Sequence, residues 1–166
     1  MRSSSVMSSN LHRYLQDHLA GASGAIDLIG SLAGHCEDPE EKEFFIRFRR
    51  KVEQDRALLE SLTGKLGERH GILLDIAGKA SAKAGRLKFL WEGLEPGGLG
   101  KFEALELLVL GVQGKYLLWR MLGELAPSVP EWEGVDFAGL EEAANGQREA
   151  LEERRIEAGR QSLAGE

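Results

Sequence analysis

Residues 38–67 read DPEEKEFFIRFRRKVEQDRALLESLTGKLG, and this stretch decides the fold class. It opens with Asp38, Pro39 and Glu41, a typical helix start, because aspartate caps free backbone N–H groups and proline suits the first helical position. Its apolar residues then recur at helical spacing, and they are Phe45, Phe48, Val52, Leu59, Leu62 and Leu66. Since glycines follow the last of them, the pattern predicts one long amphipathic helix over about 39–69.

Similar helical patterns cover most of the remaining chain, and no useful length of it alternates as a β-strand does. Asp136 is a candidate N-cap for the last helix, and Pro127 ends the helix before it. The other predicted segments are a disordered lead over 1–8, helices over about 9–33, 101–126 and 137–161, and a helical crossover over about 73–92. The sequence therefore predicts a single all-α domain over 9–163. Its expected fold is an antiparallel four-helix bundle of two helical hairpins joined by the crossover.

Composition and charge narrow the classes of function. The chain has 166 residues, which suits one domain, and its net charge of −6 does not favour binding to nucleic acid. Cys36 is the single cysteine, so the chain cannot form an internal disulfide, and it suits a reducing compartment. The first residues lack the apolar segment of a signal peptide, and charged residues interrupt the most apolar stretch, 105–125. We therefore expect a cytoplasmic protein without a membrane span.

One polar residue in each long helix falls inside the apolar sector, and the four are His18, Asp55, Lys115 and Gln147. Within each predicted hairpin the two polar positions lie at equal sequence distances from the turn, so they should face each other at one level. The favoured interpretation is a buried hydrogen-bonded layer, with an Asp55–Lys115 ion pair, that determines helix register. The alternative interpretation is a ligand or catalytic site in the bundle core.

Paired helices, a long crossover and a central polar layer resemble the ferritin-like four-helix bundles. Several stretches also resemble a family of bacterial proteins of about this length: YLQDHLAGA at 14–22, EQDR at 53–56, GRLK at 85–88, LGVQGK at 110–115 and LWR at 118–120. The likeness runs from about Leu11 to Leu163. It implies the bundle fold, and it implies no activity.

The resemblance also bears on metal binding. Ferritin-like metal proteins carry Glu-x-x-His on two helices, whereas the corresponding motifs here are Glu53-x-x-Arg56 and Glu152-x-x-Arg155. Arginine stays protonated and cannot coordinate a metal. Lys115 adds a positive charge at the place where those proteins hold the metal. We therefore expect no metal, no cofactor and no catalytic residues. Asp17, Arg56 and Arg155 are expected to flank the polar layer.

Three functions follow as hypotheses. The first is a non-catalytic structural or protein-interaction module that self-associates or binds an unknown protein partner. The second is an iron- or manganese-dependent oxidase or storage protein, with ligands from His18, Asp55 and Asp17. The third is a carrier of a small apolar ligand in an interior lined by glycines. Those glycines, which favour close contact of the first and third helices or else leave a cavity, are Gly21, Gly24, Gly111 and Gly114.

Overall fold

The computed structural model of the chain describes residues 3–70 and 97–165, and within them it contains helices and no β-strand. The elements are α1 (Ser3–His35), α2 (Pro39–His70), α3 (Gly98–Leu125), two 3₁₀ turns (Ala126–Ser128 and Pro130–Trp132), α4 (Phe137–Gly159) and a π-helical turn (Arg160–Ala164). The predicted all-α helical bundle is therefore confirmed. The crossover expected over 73–92 lies outside the described residues.

The four long helices lie where the sequence predicts them, and they differ from the prediction in the residues at which they begin and end. Asp38 caps α2 as predicted, because its carboxylate accepts the backbone N–H groups of Glu40 at 3.3 Å and Glu41 at 3.2 Å. Asp136 caps α4 in the same way and accepts the Gly139 N–H at 2.9 Å. The disordered lead expected over 1–8 is corrected from Ser3 onward, where α1 already begins. No glycine or proline interrupts this segment, so the helix continues through it.

The four helices form two hairpins that share one apolar interior. Short connections join α1 to α2 and α3 to α4, so each pair runs antiparallel, and α1 also packs against α3. One buried cluster contains residues of all four helices, including Phe45, Leu105 and Leu151. A second cluster surrounds the end of the bundle near the 3₁₀ turns. No described helix is long and apolar enough to cross a membrane.

Trp132 closes that second end of the bundle. Its side chain is 1% exposed, and its indole N–H donates to the carbonyl oxygen of Leu62 on α2 at 3.3 Å. The ring also packs edge-on against Phe137, with 5.8 Å between the ring centroids. The segment between α3 and α4 is therefore attached to the core of the other hairpin.

Cys36 lies at the opposite end, in the turn between α1 and α2. Its thiol donates to Glu41 Oε2 at 3.5 Å, and Lys101 from α3 pairs with the same carboxylate at 2.7 Å. Burial, followed by the nearby Glu41 charge, raises the pKa of the Cys36 thiol to about 11. The thiolate, which is the reactive form, is therefore scarce near neutral pH.

Alkylation of Cys36 should consequently be slow. At about pH 8 we expect iodoacetamide to react with the folded protein roughly a hundredfold more slowly than with the urea-unfolded chain, because two pKa units change the thiolate fraction about a hundredfold. Glu41→Gln, which removes the negative charge, should accelerate the reaction. Mass spectrometry over time gives both rates. Equal rates in the folded and unfolded states would contradict the raised pKa.

Candidate functional site

The bundle interior contains an ion pair bridged to a third helix. Lys115 Nζ on α3 donates to Asp55 Oδ2 on α2 at 2.5 Å and also to Gln147 Oε1 on α4. The Lys115 side chain is 13% exposed and that of Asp55 is 19% exposed. The predicted contact between these two residues is therefore present, and Gln147 joins it as expected. We refer to Asp55, Lys115 and Gln147 as the polar trio.

The electrostatics of the polar trio are dominated by burial. Removal from water lowers the pKa of the Lys115 ammonium below its ordinary value, although the Asp55 carboxylate acts in the opposite direction. A buried ammonium of this kind is tolerated because an anion and an amide oxygen accept its hydrogen bonds. The same burial makes the amino group easier to deprotonate than an exposed lysine.

A cavity of about 330 Å³ lies next to the polar trio, between α1, α2 and α3. Asp55 and Lys115 line it, but most of its wall is hydrocarbon. Representative apolar lining residues are Leu28, Phe48, Val52, Leu108, Val112 and Leu118. Ligand sites in proteins commonly combine such an apolar wall with a few polar groups that orient the ligand.

Glycines create part of this volume. Gly21 and Gly24 of α1 and Gly111 and Gly114 of α3 all line the cavity. A Cβ atom placed on Gly21, Gly111 or Gly114 would have no described atom within 4 Å apart from neighbouring backbone of its own helix. At these three positions the interpretation of close helix contact is therefore wrong. The missing side chains leave open space instead.

Three further residues from the sequence analysis border the same cavity: Asp17, His18 and Arg56. The His18 ring packs edge-on against Tyr14, with 4.7 Å between the ring centroids. Arg56 Nε donates to Ser23 Oγ at 3.1 Å, and its Nη1 pairs with Glu60 at 3.3 Å. His18 therefore shares the cavity with the polar trio, and Arg56 links α1 to α2 along its wall.

Arg155 lies elsewhere, at the contact between α3 and α4. It donates to both carboxylate oxygens of Glu152, at 2.7 and 2.6 Å, and to Glu106 Oε1 at 3.1 Å. Its guanidinium also lies over the Phe102 ring, 5.7 Å from the centroid. The prediction that Arg155 flanks the polar layer is therefore wrong. Arg155 belongs to a separate ion-pair cluster between two helices.

The donor set does not fit a di-metal centre. Within residues 3–70 and 97–165, no three His, Cys, Asp or Glu side chains are grouped so that they could hold a metal ion. Glu152 is bound by Arg155, Glu53 pairs with Arg49 at 3.2 Å, and the Asp55 carboxylate is bound by the Lys115 ammonium. The carboxylates that such a centre would use are therefore paired with protonated arginine or lysine side chains.

The cavity walls contributed by Phe48, Leu107 and Trp119 could not be recognised from the sequence, because apolar residues at helical spacing are typical of any core. The available signal was the two glycine pairs at i, i+3 spacing.

Comparison of the chain with protein-family models, with curated proteins and with solved structures gives no match. The chemistry of the site therefore follows from the cavity and the polar trio.

Proposed function

We propose that this protein binds a small, mostly apolar ligand in the cavity between α1, α2 and α3. The observation that carries the proposal is the cavity itself, about 330 Å³ of largely apolar space. An apolar cavity of about 150 Å³ binds benzene, so a ligand roughly the size of a two-ring aromatic compound would fit. Among the three hypotheses from the sequence, this favours the carrier of a small apolar ligand.

The polar trio supports this function in two ways. First, an ammonium and a carboxylate at one side of an apolar cavity can orient a ligand that has one polar group. Second, the contacts of Lys115 with α2 and α4 tie three helices together beside the cavity, which keeps the space open in the absence of ligand. A preformed cavity avoids part of the ordering cost of binding.

Naphthalene is a suitable probe for this proposal. Isothermal titration calorimetry should show saturable binding of naphthalene. The melting temperature of the protein should also rise with naphthalene concentration, since a ligand that binds only the folded state stabilises it by about 2.7 kcal/mol at a hundredfold excess over Kd. Absence of both effects would contradict the proposal.

A cavity-filling variant provides the matched test. Gly114→Leu places a side chain into the open space on α3, so naphthalene affinity should fall by at least about tenfold, or roughly 1.4 kcal/mol. Gly146→Leu is the control, because Gly146 is an exposed helical glycine on α4 that also has no described neighbour at its Cβ position. Both substitutions improve helix propensity by up to about 1 kcal/mol, so unfolding does not explain a loss of binding. Unchanged affinity in Gly114→Leu would place the ligand elsewhere.

The self-association expected from the sequence is a second candidate, and an exposed face of α3 favours it. Leu110, Leu117 and Met121 are 68%, 52% and 44% exposed, and they recur at the spacing of a helix–helix seam. A second copy of this chain would present the same stripe, so an isologous dimer can bury both. We therefore propose homodimerisation through α3.

Light scattering at micromolar concentrations tests the dimer. We expect a dimer mass for the unmodified chain and a monomer mass for Leu117→Glu, because a charge in the seam must lose its water without a partner. Arg120→Glu, which changes the charge of an exposed neighbour outside the apolar stripe, is the control. A monomer mass for the unmodified chain across this concentration range would remove the proposal.

A further inference from the structure

We infer that Lys115 captures small aldehydes or ketones in the cavity as a protonated imine. The inference rests on the proposed function, because it names the class of ligand that the same cavity takes. It follows from an amino group, a carboxylate and an apolar space that lie together in the bundle interior.

The position of the amino group suits this reaction. Lys115 lines the cavity directly after Gly114 and one turn after Gly111 on the same helix, so no side chain at those two positions blocks the approach to it. The side chain is 13% exposed, and the hydrocarbon wall favours uncharged ligands over anions. Small carbonyl compounds are uncharged and have an electrophilic carbon. A lysine in a desolvated apolar pocket is the usual nucleophile for such carbons.

The reaction balances without an additional reagent. The Asp55 carboxylate accepts one proton from the Lys115 ammonium, and the neutral Nζ then attacks the carbonyl carbon. The carbonyl oxygen becomes a hydroxyl as it takes up a proton, and the carbon–oxygen bond breaks when water leaves. The water contains the carbonyl oxygen and two of the three Nζ hydrogens. Lys115 keeps one N–H, a double bond to carbon and the positive charge.

Asp55 has two roles in this scheme. It relays the proton, and its Oδ2, 2.5 Å from Nζ, is then the counter-ion of the protonated imine. Because the charge of the pair is the same before and after the reaction, the adduct leaves no unpaired carboxylate in the interior. The single remaining N–H suffices for Asp55, so the contact with Gln147 is the one that is lost. Burial lowers the pKa of Lys115, which makes the neutral amine more available than on exposed lysines.

Reductive trapping tests the inference on the full chain. The protein is incubated with naphthaldehyde and sodium cyanoborohydride at neutral pH, where hydride addition to the imine carbon leaves a stable secondary amine. Peptide mass mapping then gives the modification rate of each lysine. We expect Lys115 to react faster than the exposed Lys42 and Lys65, because the cavity holds the aldehyde beside its amino group and burial lowers the pKa of its ammonium.

Two further measurements separate this inference from the proposed function. Gly114→Leu retains Lys115 and fills the cavity, so its Lys115 labelling should fall at least about tenfold while Lys42 labelling is unchanged. Naphthalene, which has no carbonyl group, should still bind the unmodified chain. Naphthalene binding without preferential Lys115 labelling would overturn the imine and leave the apolar ligand site. Loss of both would overturn the two proposals together.

Discussion

Replacing either Asp55 or Lys115 with alanine is expected to destabilise the protein by about 3–5 kcal/mol. The two side chains are 19% and 13% exposed and share a 2.5 Å contact, so removal of one leaves the other buried without its opposite charge. Urea denaturation of the two variants gives the free energy of unfolding. For a chain of this size the melting temperature should fall on the order of 10 °C. A fall of one or two degrees would contradict a buried pair.

A double substitution distinguishes an orphaned charge from lost packing. Asp55→Leu combined with Lys115→Met removes both charges and keeps most of the volume. Buried ion pairs replaced in this way are often neutral or stabilised by about 1–4 kcal/mol, so the double variant should be at least as stable as the unmodified chain. If it is as unstable as the single alanine variants, packing rather than charge accounts for their loss.

Trp132→Ala should have the other large effect, a loss of about 3–5 kcal/mol. The indole is 1% exposed at the end of the bundle, where it packs against Phe137 and donates to the Leu62 carbonyl oxygen. Truncation therefore leaves a cavity and also removes the hydrogen bond that attaches the connection between α3 and α4 to α2. The free energy of unfolding from urea denaturation provides the measurement.

Trp132→Phe is the matched control for this prediction. Phenylalanine retains an aromatic ring and loses the indole N–H, so we expect a smaller loss, of roughly 1–3 kcal/mol, from the lost hydrogen bond to the Leu62 carbonyl oxygen and the reduced volume. The difference between the alanine and phenylalanine variants then measures the packing contribution. A loss below about 1 kcal/mol in Trp132→Ala would contradict the attachment of this connection to the core.

Much of the fold follows from local signals. Asp38 and Asp136 are recognisable helix caps because their side chains bond backbone N–H groups only a few residues away. The equal height of Lys115 and Gln147 also follows from the sequence, since helical rise and equal distances from the turn determine height within an antiparallel hairpin. The start of α1 at Ser3 did not follow, because serine-rich segments favour helix only weakly.

The polar trio of the candidate site could be predicted from the sequence, but the cavity beside it could not. A cavity depends on the separation of α1 and α3, and neither Gly21 nor Gly114 specifies whether two helices approach closely or leave space. The location of Arg155 depends on which neighbouring carboxylates it reaches across the helix contact, and helical phase alone does not determine this. Trp132 was unassigned because loop residues carry no periodicity that indicates burial.

The central claim, an apolar ligand cavity beside the polar trio, is tested most directly by a crystal structure determined under xenon pressure. Xenon enters apolar cavities and is readily located by its scattering. We expect xenon between α1, α2 and α3, in contact with residues such as Val52 and Leu118, and we expect none at that place in Gly114→Leu. Helices α1 and α3 packed together without xenon, or a chain of ordered waters in its place, would contradict the claim.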